Sequence, residues 1–86
     1  MTRLDMVTVE LYGKADCCLC VDAKAVLHRV QAEVPFTLRE IDIEADTELM
    51  RLYGDQIPVV FVAGFKAFKF RVDEAELLRK LARGAK

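Results

Sequence analysis

The sequence contains no tryptophan, a single histidine and only two prolines in 86 residues. The shortage of histidine argues against a zinc centre, because a closed zinc site needs four ligands. The chain offers three crowded cysteines and His28. At about 1.5 Å per residue, His28 would stand about 12 Å along a helix axis from Cys20, too far to share an ion with it. Basic excess is also absent. The net charge is -1, which excludes the usual electrostatic footprint of a nucleic-acid binder. No apolar run is long enough to cross a bilayer, so no membrane partner is expected. Met1 to Asp5 lacks the apolar segment of a secretory signal, and the expected compartment is a reducing cytoplasm. Three cysteines are an odd number, which argues against a purely structural disulfide framework.

What remains is a globular composition. Hydrophobic residues make up 53% of the chain and charged residues 31%, which places it away from disordered and fibrous classes. Its length allows one domain, residues 1–86, with a small core. There are no repeats, low-complexity tracts or linkers. Charge is unevenly spread. From Leu38 to Asp55 six acids face two bases, and from Gly64 to Lys86 seven bases face three acids. Two solvated faces are the plain interpretation, and a polar protein partner steered by these patches is the sharper one.

Periodicity gives the elements. Met6 to Tyr12 alternates apolar and polar residues and reads as a strand. From Cys18 onward, Leu19, Ala23, Val26, Leu27, Val30 and Val34 recur at helical spacing, with Leu19 and Cys20 opening the buried stripe. The helix must end before Pro35. Phe36 to Ile43 alternates again, as a second strand. Ala45 to Tyr53 is a short helix with Leu49 and Leu52 as its stripe, stopped at Gly54. Pro58 to Val62 is an apolar run suited to a strand covered on both faces. Ala63 and Gly64 turn the chain, and Lys66 to Phe70 is the hairpin partner. Asp73 opens a last helix with a capping-box pattern to Glu76, and Leu77, Leu78 and Leu81 form its buried stripe. The order β-α-β-α-β-β-α predicts an α/β fold, a mixed four-stranded sheet with helices on both faces.

Cys17 and Cys20 fall where the first strand turns into the first helix. Cys-x-x-Cys beside a β-α-β pattern is a redox signal. A helix N-terminus carries about half a positive charge and unpaired amide donors, and both favour a thiolate, which is the nucleophile. Cys17, just outside the helix, gains most. Cys20, one turn in, is close enough to form a disulfide and is expected to be buried. Lys14 adds a positive charge nearby. Asp16 opposes it unless its side chain caps the helix. A disulfide between sequence neighbours is strained, so Cys18 is expected to be an incidental thiol pointing away from Cys17.

The segment Leu11-Tyr12-Gly13-Lys14-Ala15-Asp16-Cys17-Cys18-Leu19-Cys20 resembles the active-site segment of glutaredoxins. Ile57-Pro58-Val59-Val60-Phe61-Val62-Ala63-Gly64 is similar to the family's later segment of apolar residue, cis proline, strand and turn glycine. The Cys-x-Leu-Cys form followed by Val21-Asp22-Ala23-Lys24 most resembles the glutaredoxin-like family long carried as a domain of unknown function. The resemblance implies a thioredoxin/glutaredoxin fold and thiol-disulfide oxidoreductase activity. It makes Cys17 the nucleophile, Cys20 the resolving thiol and Pro58 a cis proline beside them, with Tyr12, Lys14 and Ile57 in support. No metal or cofactor is implied for the enzyme. The expected partner is a protein or small-molecule disulfide, with glutathione an open candidate.

The chain departs from the glutaredoxin pattern in three ways. Cys18 stands where proline is usual. Phe70, Arg71 and Val72 precede Asp73 and Glu74, where glycines usually open the glutathione pocket, so poor use of glutathione is expected unless Arg71 binds its carboxylate. The tryptophan of the thioredoxin form is missing. The alternative to an enzyme is a non-catalytic module that holds a partner, or an iron-sulfur cluster shared between two chains. Phe61, Phe65, Phe68 and Phe70 are expected mainly as core, with Phe65 and one face of the hairpin as candidate partner contacts.

Overall fold

The computed structural model describes residues 7–84. Strand β1, Thr8–Gly13, alternates as expected: Val9, Leu11 and Gly13 are buried while Thr8, Glu10 and Tyr12 are half-buried. It is central in a sheet of order β2-β1-β3-β4. Strand β2, Thr37–Asp42, pairs with β1 in parallel, from Thr8 opposite Thr37 to Gly13 opposite Asp42. Strand β3, Val59–Val62, pairs with β1 antiparallel, Val9 opposite Val62. Strand β4, Phe65–Lys69, closes the hairpin antiparallel to β3, with an irregularity at Val60 and Phe61.

Three helices cover this sheet: α1, Cys18–Glu33; α2, Thr47–Tyr53; and α3, Glu74–Gly84. The main core joins Val9 and Leu11 of β1 and Val60 and Val62 of β3 to Ala23, Leu27 and Val30 of α1 and to Leu77 and Leu81 of α3. Those positions are four apart in α3, and three or four apart in α1, so each helix turns one stripe to the sheet. The opposite parity of β1 and β3 brings Tyr12 and Phe61 against Tyr53 of α2, with ring centroids 5.2 Å (Tyr12–Tyr53) and 5.4 Å (Tyr12–Phe61) apart. Helices therefore lie on both faces. Residues 7–84 thus follow the β-α-β-α-β-β-α order and mixed four-stranded sheet read from the sequence.

The helix ends carry their own signals. The Asp46 carboxylate accepts hydrogen bonds from the amides of Glu48 and Leu49 at the start of α2, and Asp73 accepts from the amide of Glu76 at the start of α3. Helix α1 stops at Glu33, two residues before Pro35. No helix among the described residues is long and apolar enough to cross a membrane.

Several details differ from the expectation. The buried stripe of α1 begins at Cys20, not Leu19. Leu19 is exposed because it falls off the face that holds Cys20, Ala23, Leu27 and Val30, and Val34 because it is the C-cap, with extended backbone beyond the last turn. Leu49 of α2 packs as expected, but Leu52 is exposed, and Met50 and Tyr53 make the contacts in its place. Ile43 is not the end of β2. It opens a single 3₁₀ turn, Ile43–Ala45, that drives its side chain fully inside. Of the four phenylalanines expected mainly as core, Phe61 and Phe68 are partly buried, whereas Phe65 and Phe70 are exposed.

Candidate active site

The C-terminal end of β1 and the first turn of α1 bring the cysteines together. Cys17 is the N-cap of α1, with extended backbone at φ -134 and ψ 111. Its sulfur accepts a hydrogen bond from the Cys20 amide at 3.2 Å. The sulfur thus takes the place that a serine or aspartate oxygen usually fills at a helix start. Asp16 is not the cap. Cys17 is half-buried, Cys18 exposed and Cys20 buried, and all three are unpaired thiols.

Cys20 lies in a second apolar cluster with Ile43 and Ile57, against which Tyr12, Cys17, Leu49, Met50 and Tyr53 pack. This cluster brings Tyr12, Cys17, Cys20 and Ile57 to one place. Burial pushes the Cys20 thiol up to about 11, helped by its hydrogen bond to Cys17 and the charge there. A backbone hydrogen bond from Lys14 and the Lys14 charge act in the opposite direction.

The peptide bond between Ile57 and Pro58 is cis. Pro58 is fully buried at the entry to β3, and its carbonyl accepts the Phe70 amide at 2.8 Å. Phe70 itself has φ 71. That is the left-handed region, where a bulky side chain is an outlier.

The His28 ring faces the Glu40 carboxylate at 3.6 Å. Among the described residues no group of three or more histidine, cysteine, aspartate or glutamate side chains has the geometry of a metal site. A cleft of about 300 Å³ runs beside Cys20, lined in part by Gly13, Lys14, Lys24, Glu40 and Asp42. Lys24 and Glu40 form an ion pair across it at 3.1 Å.

Gly13 is a site residue that the sequence pattern, which ends the first strand at Tyr12, leaves outside the strand. It belongs to β1 and faces Cys20. A Cβ at this position would lie 2.8 Å from the Cys20 sulfur, so only glycine lets the thiol pack against the strand. Its signal in the sequence is its place, the last residue of a strand that leads into a cysteine segment.

A helix capped by the first cysteine of a Cys-x-x-Cys pair, on a β-α-β-α-β-β-α sheet with a cis proline opening β3, defines a thioredoxin-like protein. A mutant thioredoxin from Halobacterium salinarum shares the fold at a TM-score of 0.71 and 18% identity, covering 100% of this chain and 86% of that one. The chain belongs to the glutaredoxin-like domain family (DUF836), whose model matches residues 8–82. The solution structure of protein Ne2328 from Nitrosomonas europaea is similar at a TM-score of 0.76 and 28% identity, over 88% of this chain and 92% of that one. A structural-genomics target from X. campestris follows at 0.71 and 27%, over 87% and 96%. The uncharacterized protein Rv0508 of Mycobacterium tuberculosis is 31% identical over 80 residues, 87% of this chain and 82% of the relative.

Proposed function

We propose that this protein is a thiol-disulfide oxidoreductase that works through Cys17 and Cys20. The observation that carries the reading is the division of labour between the two sulfurs. Cys17 stands half-exposed at the helix start and accepts the Cys20 amide. Cys20 is buried behind it, with its thiol pushed up to about 11. A thiolate at Cys17 attacks one sulfur of a substrate disulfide. The substrate S–S bond breaks, a mixed disulfide forms at Cys17, and the first substrate thiol leaves.

Cys20 then attacks the Cys17 sulfur. This second step follows from the same contacts. Two of the three influences that hold the Cys20 proton, its hydrogen bond to Cys17 and the charge on Cys17, vanish once Cys17 is in a neutral mixed disulfide. Burial remains, opposed by the Lys14 amide and ammonium. Cys20 therefore becomes easier to ionise when its turn comes. The second substrate thiol departs and a Cys17–Cys20 disulfide remains. Two electrons have passed from the dithiol to the substrate, and a thiol or dithiol reductant restores the pair. The backbone before Pro58, at Ile57, is suited to pair with an extended substrate, because proline offers no competing N–H.

The test is reduction of insulin, or of a small aromatic disulfide, in the presence of dithiothreitol. Cys17→Ser should abolish the activity above the dithiothreitol background. Mixed with the disulfide substrate in the absence of dithiothreitol, reduced Cys20→Ser should accumulate a mixed disulfide visible by mass. Unchanged activity in Cys17→Ser would overturn the reading.

A further inference from the structure

Lys69, Phe70 and Arg71 form a surface that the fold does not use for itself. Phe70 has φ 71 and is 42% exposed, and its ring packs in neither apolar cluster. Its ring contact is with the Lys69 ammonium, 5.7 Å from the centroid. A bulky residue in left-handed backbone is strained, and strain of this kind collects at ligand-binding positions. The strained residue is tied to the candidate active site by its own amide, which donates to the Pro58 carbonyl at 2.8 Å. Pro58 follows Ile57, which shares a cluster with Cys17 and Cys20.

The charges around Phe70 point the same way. The acids of the C-terminal stretch are all engaged within the fold, which leaves its basic excess uncancelled. Glu74 pairs with Arg29 at 3.0 Å, Glu76 pairs with Arg79 and Lys80, and Asp73 caps α3. Lys69 and Arg71 stand outside the ion pairs formed among the described residues, and both are exposed. The result is an aromatic residue flanked in sequence by two cations that pair with no carboxylate among the described residues, its amide on the carbonyl of the cis proline.

Building on the oxidoreductase reading, we propose that Lys69-Phe70-Arg71 is its substrate-selecting element. It fits a polypeptide disulfide whose reacting cysteine is flanked by an acidic and an apolar side chain. The apolar side chain rests on the Phe70 ring. The acid meets Lys69 or Arg71, which steers encounter and fixes orientation.

The experiment uses two fluorescent peptides, one with glutamate and phenylalanine beside the reacting position and one with lysine and glycine there. With serine replacing the cysteine, their binding to the intact protein is followed by anisotropy. With the cysteine present as a mixed disulfide, their reduction is followed as kcat and KM. The acidic aromatic peptide should bind and react about tenfold better at low ionic strength, a preference that weakens as salt rises. Phe70→Gly should erase most of the preference through KM. Its thermal midpoint should not fall, because glycine accepts the left-handed backbone without strain. Phe70→Leu should retain part of the preference. Lys69→Glu with Arg71→Glu should cancel or invert it. Equal binding of the two peptides by the wild type, or a preference that survives both variants, would overturn the proposal. The binding arm needs no chemistry, so a protein that selects between the serine peptides yet reduces neither disulfide would refute the oxidoreductase reading alone.

Discussion

Replacing Gly13 by alanine presses a methyl group against the buried thiol. The new Cβ would lie 2.8 Å from the Cys20 sulfur and 3.3 Å from the Cys20 Cβ. Non-bonded heavy atoms rest at about 3.5–4.0 Å, so the sulfur must retreat by about 0.7 Å or more. Cys20 is only 7% exposed, so it has packed neighbours on its far side. Overpacking of this kind costs about 1–3 kcal/mol. The Gly13 backbone lies outside the left-handed region, so alanine adopts it and loses less chain entropy on folding, which offsets about 0.4–1 kcal/mol. The net expectation is a loss of about 1 kcal/mol, or about 4–8 °C in the thermal midpoint of a domain this size. Urea unfolding of the reduced protein measures it, with a lower midpoint and an unchanged slope. The cause is isolated in a Cys20→Ala background, where the sulfur is gone. There the Gly13→Ala penalty should fall close to zero, giving a coupling of about 1 kcal/mol. A penalty of the same size in both backgrounds would refute the reasoning.

Alkylation at mildly acidic pH should label Cys17 ahead of Cys18 and Cys20, and first labelling of either other thiol would reverse the assigned roles. For Cys20 the folded thiol keeps its proton up to about 11 while the unfolded thiol releases it near 9.0. The folded state then holds more protons, so stability present below pH 9 is lost as pH rises towards 11, on the order of 2 kcal/mol. Reduced wild type should show this fall in its urea midpoint, and Cys20→Ala should show much less of it. Cys18→Ser should retain disulfide reductase activity within about a few-fold, as expected for an exposed thiol off the buried face, whereas a loss as deep as that of Cys17→Ser would bring the third thiol into the chemistry. Glutathione should be a poor reductant, because the amides of Phe70 and Arg71 already donate to the carbonyls of Pro58 and Lys69 at 2.8 Å each. Turnover of a glutathione mixed disulfide equal to that of a glutaredoxin control would refute this. Freshly purified protein should be colourless, and a coloured dimer would favour the shared iron-sulfur cluster instead.

The order of elements was legible because each boundary has a local cause. Pro35 halts α1 through its effect on the residue before it. Asp73 caps the last helix as its pattern with Glu76 implies, and the alternation of β1 matches its two faces. The cap at Asp46 is not in that reading, and α2 begins at Thr47, two residues later than the expected Ala45. The cysteine pair was legible through spacing and place. What escaped depends on tertiary detail. Leu19 and Val34 are apolar and helically spaced, yet Leu19 falls off the face that packs on the sheet and the helix ends before Val34. Ile43 continues the strand pattern of β2, and only the turn at Ile43–Ala45 decides where its side chain goes. The importance of Gly13 arises from a contact with a residue seven positions on, which no local pattern encodes. Phe70 reads as one more strand aromatic, and its positive φ emerges only when β4 ends at Lys69.

The cap of α1 has a consequence for how the molecule reports its own state. An ordinary N-cap oxygen is a permanent fixture, whereas the sulfur that accepts the Cys20 amide is, on the proposed reading, the atom that changes bonding during turnover. A thiolate is a strong acceptor for that amide and a disulfide sulfur is a weak one. On that reading each oxidation loosens the capping hydrogen bond of the helix, and each reduction restores it. The Cys20 amide should exchange its proton faster in the oxidised protein than in the reduced one, so the opening turn of α1 acts as a built-in redox gauge.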